Sequence, residues 1–324
     1  MKTKSLLKFL FLLLLIGGTF YIARQRSTDT ADNQIPYLHN EGFMFGTVYH
    51  LTYQCADDQH EAIERVLNQV DREFSMFNEQ STVSAINRGE NPPRSDIFNE
   101  VYNLALSVNA DTDGAFDITV APLVNAWGFG FKHQQMPTAE QVDSLLKIRS
   151  QMDFSAIAKG YGCDIASRKL DELGVTNYMI EVGGEVVAKG TNAKGKPWRI
   201  GISTPEEDSL QQNNELQAVV ALSKGAIATS GNYRRFYYKG GRKYAHTIDP
   251  RTGYPVQHEV LSATVLADRC VLADAYATSF MVLGLEKSKQ VLSRHPELQA
   301  FFIYTDAQGE LTVWHTPRFP ISND

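Results

Sequence analysis

Two hydrophobic periodicities divide the chain. In HEAIERVLNQVDREFSMF the apolar residues Ile63, Val66, Leu67, Val70 and Phe74 fall three or four apart, which predicts an amphipathic helix. SDIFNEVYNLALSVNADT and TAEQVDSLLKI predict further helices, and FSAIAKGYGCDIASRKLDELG a loop running into a helix that Gly174 ends. Capping residues stand where such helices need them. Ser81 precedes a short one in STVSAIN, Ser95 or Asp96 the next, and Thr138 forms a capping box with Gln141. An early run, FMFGTVYHLTY, predicts one strand containing a glycine, and GAFDITVAPLVNAWGFG a short strand-like piece before an aromatic, glycine-rich loop. Past residue 174 the pattern is mostly β. NYMIEVGGEVVAKG, WRIGIST, LQAVVALSKGAIATSG, YRRFYYKGGRKYAHTI and VLSATVLA read as strands joined by turns such as Lys239-Gly240-Gly241. CVLADAYATSFMVLG and LEKSKQVLSRHP predict two helices, and LQAFFIYTDAQGELTVWHT a closing hairpin across Asp306–Gly309. The class is α+β, with antiparallel pairing expected in the second half. There is no internal repeat and no low-complexity segment.

The first 34 residues follow another rule. Lys2, Lys4 and Lys8 flank or enter an apolar stretch from Phe9 to Ile16 that resumes through Thr19–Ala23, before Arg24 and Arg26. A basic segment followed by an apolar one is the pattern of an export signal. The apolar part is short for a membrane span. Phe20, Tyr21 and Ile22 occupy the place of a small-residue cleavage site, and no cysteine follows closely for lipid attachment. The reading is an uncleaved inner-membrane anchor with a polar tether, STDTADNQIP; a cleaved signal and a soluble periplasmic protein are the alternative. Either way the rest is exported. Residues 1–34 are thus anchor and tether, and 35–324 one domain.

Composition narrows the function classes little. The 324 residues are 43% hydrophobic and 21% charged with a formal net charge of -6, which suits an ordinary globular protein. No Lys/Arg block follows the first thirty residues, so nucleic acid is excluded as a partner. Cys55, Cys163 and Cys270 are odd in number and fit no metal spacing; they read as isolated small residues, with a disulfide between one pair as the alternative.

Candidate chemistry gathers in glycine-bearing loops and one helix. The loops are Gly114–Asp117, Ala158–Gly160, Gly183–Glu185, Thr229–Asn232 and His246–Gly253, where glycine would let a ligand approach the backbone. None is a dinucleotide fingerprint or a Walker loop. In VLADAYATSFMVLG, an acid, Asp274, interrupts a small and apolar run, and Thr278 stands one turn on, on the same face. Hard oxygen donors at that spacing suit Mg²⁺. Asp274 as helix cap, with Thr278 bonded to its own backbone, is the simpler reading on spacing alone. In HTIDPRTGYP, His246 is a possible base, while Arg251 could meet a phosphate or merely lock the turn with Asp249. Phe116, Trp127, Phe129 and Phe131 would suit a flat ligand, or an ordinary core.

Taken together and in order, FGT, FSMFNEQSTVSAIN, GAFDITVAPLVNAWGFG, AIAKGYGCD, EVGGEVVAKG, AIATSGNYRRF, HTIDPRTGYP and ADAYAT resemble the ApbE family of FAD:protein FMN transferases, over about residues 40 to 315. The resemblance implies an α+β fold related to the T-fold, mixed or antiparallel sheets with packed helices, and FAD between two halves. It implies cleavage of the FAD pyrophosphate, transfer of FMN through a phosphoester to a Thr or Ser of a target protein, and release of AMP. Typical targets are subunits of membrane redox pumps. Asp274 and Thr278 match the family's Mg²⁺ pair, and the carbonyl of Ala158 its third ligand. Phe45 matches the residue bordering the flavin, where Met is common. Phe77 falls where an aromatic packs on the flavin, and Ala115, Phe116 and Asp117 match the flavin-contacting triplet. His246 matches the histidine that assists transfer, with Asp117 the alternative base. Lys159, Glu181, Thr229 and Ser230 are further expected contacts. A Mg²⁺-dependent FAD pyrophosphatase and a periplasmic flavin-storage protein are the rival readings.

Overall fold

The computed structural model describes residues 35–130, 136–148, 151–205, 215–232, 236–239 and 242–322. The anchor at 1–34, Phe131, the YRR of AIATSGNYRRF and the Gly240-Gly241 turn lie outside the described residues. Among the described residues no helix is long and apolar enough to cross a membrane.

The first strand prediction resolves into two. β1 (Tyr37–Met44) and β2 (Thr47–Gln54) pair antiparallel around Phe45 and Gly46, with φ of 53° and 76°. Two consecutive positive φ values make the tight turn that matches strand twist. The alternation of FMFGTVYHLTY hides this, because apolar residues continue through the turn. Four helices follow: α1 (His60–Phe74), α2 (Thr82–Asn87), α3 (Asp96–Asp111) and the six-residue α4 (Ala121–Ala126). α4 replaces the strand-like piece expected there, with Pro122 in its first turn, a position that needs no N–H. Ser81 and Ser95 accept from the backbone N–H of Ser84 and Phe98 as N-caps, and Thr138 and Gln141 form their capping box on α5 (Ala139–Leu145).

α6 (Ala158–Glu172) leads to β3 (Tyr178–Val182) and β4 (Glu185–Lys189), a hairpin turning at Gly183-Gly184. Then come β5 (Trp198–Ser203), β6 (Leu216–Leu222), β7 (Lys224–Gly231), β8 (Phe236–Lys239), β9 (Arg242–Ala245) and β10 (Val260–Ala267). α7 (Cys270–Arg294) runs through both predicted C-terminal helices, kinked at Gly284, whose φ of 73° and ψ of 173° are not helical. β11 (Gln299–Thr305) and β12 (Leu311–His315) close the chain as the expected hairpin.

Eight strands form one sheet in the order β1-β2-β3-β4-β7-β10-β11-β12, antiparallel at every pairing, so the antiparallel arrangement extends into the first half. Strand alternation sorts its side chains. Ala226, Ala228, Val187, Ala300 and Phe302 face the helices, while Val186, Ile227, Phe301 and Ile303 pack against Ile202 of β5 and Val220 of β6. The helical layer places α7 over β7 and β10 and α6 over β3 and β4, with α6 and α7 against each other.

Two acids hold that helical layer. Asp164 on α6 accepts from the N–H groups of Cys270 at 2.7 Å and Val271 at 3.1 Å, satisfying the start of α7. The cap of α7 therefore comes from another helix. Beside it all three cysteines are free thiols, and the buried thiols of Cys163 and Cys270 donate to the backbone carbonyls of Glu185 at 3.2 Å and Val186 at 3.7 Å. Glu100 on α3 accepts from Tyr161 at 2.8 Å, Arg168 at 3.0 Å and Arg269 at 2.6 Å. Burial alone would raise its pKa, but these partners hold it at about 2. A carboxylate depressed on folding stabilises above its unfolded pKa, and that stability is lost as pH falls from about 4.5 towards about 2. Glu100→Gln is therefore expected to lower the urea midpoint at pH 7 and much less at pH 3; an equal loss at both would show that the ion pairs are not its source.

Candidate active site

The facing surfaces of α6 and α7 build the site. Gly160 lies where they touch. A Cβ there would fall 2.4 Å from the carbonyl oxygen of Cys270 and 2.8 Å from Cβ of Asp274, so only glycine allows this approach. Its N–H donates to Oδ2 of Asp274 at 3.0 Å. Asp274 is 2% exposed and lies in the second turn of α7, beyond the residues that a cap serves. The simpler reading of Asp274 as a cap is thus corrected: Asp164 takes that task.

Lys159 neutralises this corner. Its Nζ lies 3.2 Å from Oε1 of Glu185 and 3.9 Å from Oδ2 of Asp274, and donates to the Ser155 carbonyl at 3.2 Å. Burial disfavours its charge, but the carboxylates of Asp274 and Glu185 outweigh it and hold its pKa above the usual lysine range. Burial raises both Glu185 and Asp274 above the usual carboxylate range, against the pull of Lys159. Thr278 follows on the same face of α7, and its hydroxyl lies 3.1 Å from that of Ser230 on β7, rather than bonding to its own helix. Thr229 pairs with Thr264 at 2.8 Å.

These groups fit a hard divalent cation. Asp274 offers a buried carboxylate whose nearest ammonium stands off at 3.9 Å, and Thr278 a neighbouring hydroxyl. Ala158 opens α6 two residues before Gly160. Among the described residues no three His, Cys, Asp or Glu side chains gather as a metal cluster. The donor set is instead the sparse oxygen type that Mg²⁺ completes with water and phosphate.

The other predicted residues fall into two groups. On one side, Thr47 lies against Gly183, where a Cβ would fall 2.7 Å from the threonine methyl and 3.2 Å from Cδ of Lys159. Phe45 precedes it, half-buried against Gly162 of α6, and the exposed ring of Phe77 covers Gly46. Glu181 is engaged locally. It meets Nδ1 of His50 across the β2–β3 pair at 2.5 Å and accepts from the Gly184 N–H at 2.6 Å.

On the other side, Asn232 follows the Thr229–Gly231 stretch and accepts from the Thr247 hydroxyl at 2.6 Å, which ties His246 to the end of β7. The ring of Phe129 stands edge-on to His246 at 6.4 Å. Asp117 and Pro250 line one small cleft, and Gly114 lies against Arg251. Asp117 accepts from the N–H and hydroxyl of Thr119 at 2.8 and 2.6 Å. Ala115 and Phe116 are buried, Phe116 in the main core. Arg251 binds both oxygens of Asp249, at 2.9 and 2.8 Å, so it locks the turn. Trp127 is core as well, its indole N–H donating to the Gly253 carbonyl at 2.8 Å.

Sequence reasoning gave no task to Glu185 and passed over Asp164. Glu185 carried the signal that exposed Asp274, an acid heading an apolar run, in EVVA.

The sequence and the fold are similar to those of known proteins. The sequence model of the ApbE family matches residues 45–302. This chain belongs to the ApbE family. A Haemophilus influenzae protein named FAD:protein FMN transferase is 35% identical, covering 90% of this chain and 94% of its own length. A protein of that name from Escherichia coli K12 is 33% identical over 86% of this chain and 87% of its own. Among solved structures, the flavin transferase ApbE from Vibrio cholerae superposes with a TM-score of 0.78 at 32% identity, over 88% of this chain and 98% of that one. The apo flavinyl transferase ApbE of Pseudomonas stutzeri gives 0.77 at 31%, over 88% and 96%. The α+β ApbE architecture is therefore this chain's fold.

Proposed function

We propose that this chain is an FAD:protein FMN transferase, which joins FMN from FAD to a Thr or Ser hydroxyl of a target protein through a phosphoester and releases AMP. The relatives of that name support it over nearly their full length. The observation that carries it is the buried Asp274 beside Thr278 on one face of α7, closed by Gly160 and Lys159.

Asp274, Thr278 and the Ala158 carbonyl would hold Mg²⁺; when bound, it supplies charge neutralisation at pyrophosphate oxygens. The chain's own groups do the rest. The Lys159 ammonium adds a fixed positive charge at the same corner. The target hydroxyl oxygen bonds to the FMN phosphorus as the bond to the bridging oxygen breaks, and AMP leaves with that oxygen. A nitrogen of His246 takes the hydroxyl proton. Asp117 is the weaker candidate for that step, because one of its oxygens already serves Thr119 twice. The Phe45 turn and Phe77 supply ring surface for the flavin, with the Ala115–Asp117 loop as its expected neighbour.

Export and an anchor at residues 1–34, facing the periplasm, complete the proposal and suit targets such as redox-pump subunits. The test is to incubate the solubilised full chain with FAD, Mg²⁺ and a peptide carrying a Thr flavinylation motif. A fluorescent peptide one FMN heavier by mass spectrometry is expected. AMP without labelled peptide would make it a pyrophosphatase, and neither product a storage protein. A soluble mature chain beginning after Ala23 would overturn the anchor.

A further inference from the structure

Glu185 has no task in the proposed chemistry, yet it lies against its centre. It starts β4 directly after the Gly183-Gly184 turn and is 5% exposed. Its Oε1 lies 3.2 Å from Nζ of Lys159, while Oε2 is buried and meets no hydrogen-bond donor. Keeping a carboxylate in such a place is costly unless it serves the charge beside it.

The placement of that charge is uneven. The Lys159 ammonium is within bonding reach of Glu185 and of the Ser155 carbonyl, both at 3.2 Å, and stops 3.9 Å short of Asp274. A lysine ammonium on its four-carbon stem is free to swing towards the stronger partner. With Glu185 gone, Asp274 is the carboxylate left within its reach, and closing that gap would occupy the oxygen that a cation needs.

The geometry points to Glu185 as a positioning residue: it holds the Lys159 ammonium off Asp274 and so keeps the Asp274 carboxylate open to a divalent cation. This rests on the metal reading of Asp274 and Thr278. Glu185 acts through Lys159 and touches neither substrate nor metal.

The test is a double-mutant cycle read by binding. Mn²⁺, as an EPR-visible stand-in for Mg²⁺, is titrated into the full chain without FAD. Wild type is expected to bind and Asp274→Ala to lose binding. Glu185→Gln is expected to weaken binding by about 10–100-fold, the usual effect of removing a group that orients a ligand. Lys159→Met should recover most of that loss in the Glu185→Gln background, and its effect there should be clearly larger than its effect in the wild-type background. Simple through-space electrostatics predicts equal Lys159→Met effects in both backgrounds, and that result would overturn the inference. So would wild-type affinity in Glu185→Gln, or a double variant as weak as Glu185→Gln alone. If the Gln variant fails to fold by circular dichroism, Glu185→Met, which fills the space without charge, carries the same comparison. Wild-type binding in Asp274→Ala, or none in wild type, would instead sink the metal reading and this inference with it.

Discussion

Asp274→Ala is expected to lower the rate of FMN transfer at saturating Mg²⁺ by roughly a thousandfold, the loss that follows from removing about 4 kcal/mol of charge stabilisation at the reacting phosphate. FAD binding, followed by quenching of flavin fluorescence, should persist, because Phe45 and Phe77, the residues proposed to face the flavin, lie on the β1–β2 turn and the loop covering it, not on α7. The variant also strips the Gly160 N–H of its buried acceptor. That unsatisfied donor costs about 1–3 kcal/mol of stability, so the chain should still fold. Asp274→Asn, which keeps an acceptor oxygen for Gly160 but not the charge, should restore the stability and not the rate. Full activity in either variant would end the assignment of Asp274 to a metal. A loss of rate matched by loss of FAD binding would mean that the site is organised around the flavin from α7 after all.

The contrast between Asp274 and Asp164 shows what the linear pattern could carry. Both are acids in helices otherwise rich in small and apolar residues, and both are buried. Spacing to Thr278 marked Asp274, since i and i+4 share a helix face whatever the tertiary structure. Nothing local marks Asp164, because its partners, the N–H groups of Cys270 and Val271, are more than a hundred positions away. A cap lent by another helix leaves no trace beside the helix it serves. For the same reason a cap could be suspected at Asp274, although Arg269 occupies the N-cap position.

Helices with their own caps were legible because the cause is local: Ser81, Ser95 and Thr138 bond within three residues. The hairpin at Phe45-Gly46 was not, since a phenylalanine at φ 53° contradicts the usual turn composition. That is a strained conformation at the residue which the family resemblance sets beside the flavin, the sort of site where local rules are broken for function. The break within α7 was legible: the sequence reads as two helices meeting at Gly284, and Gly284 has the non-helical φ and ψ that part them. Among loops, the resemblance named candidates, and the structure separates Arg251, committed to Asp249, from Lys159, which pairs with Glu185 beside Asp274.

Gly160→Ala tests how much of the site is made by the closeness of two helices. In an open helix the change would stabilise, by up to about 1 kcal/mol, because alanine is the better helix former. Here the added methyl would sit 2.4 Å from the Cys270 carbonyl oxygen and 2.7 Å from its carbon. Those atoms are backbone, fixed by the bond from the Cys270 N–H to Asp164, so no side chain can swing away. The expected result is a loss of about 3 kcal/mol, at the upper end for an overpacked core, read as a lower urea midpoint with an unchanged slope. Relief requires α6 and α7 to part. Parting them lengthens the Gly160–Asp274 bond and carries Asp274 and Thr278 away from Lys159 and Ala158. Transfer activity should therefore fall further than the unfolded fraction explains, by about a hundredfold for a shift near 1 Å. A more stable variant would show that the helices have room to spare, and that glycine at this position serves something other than their approach.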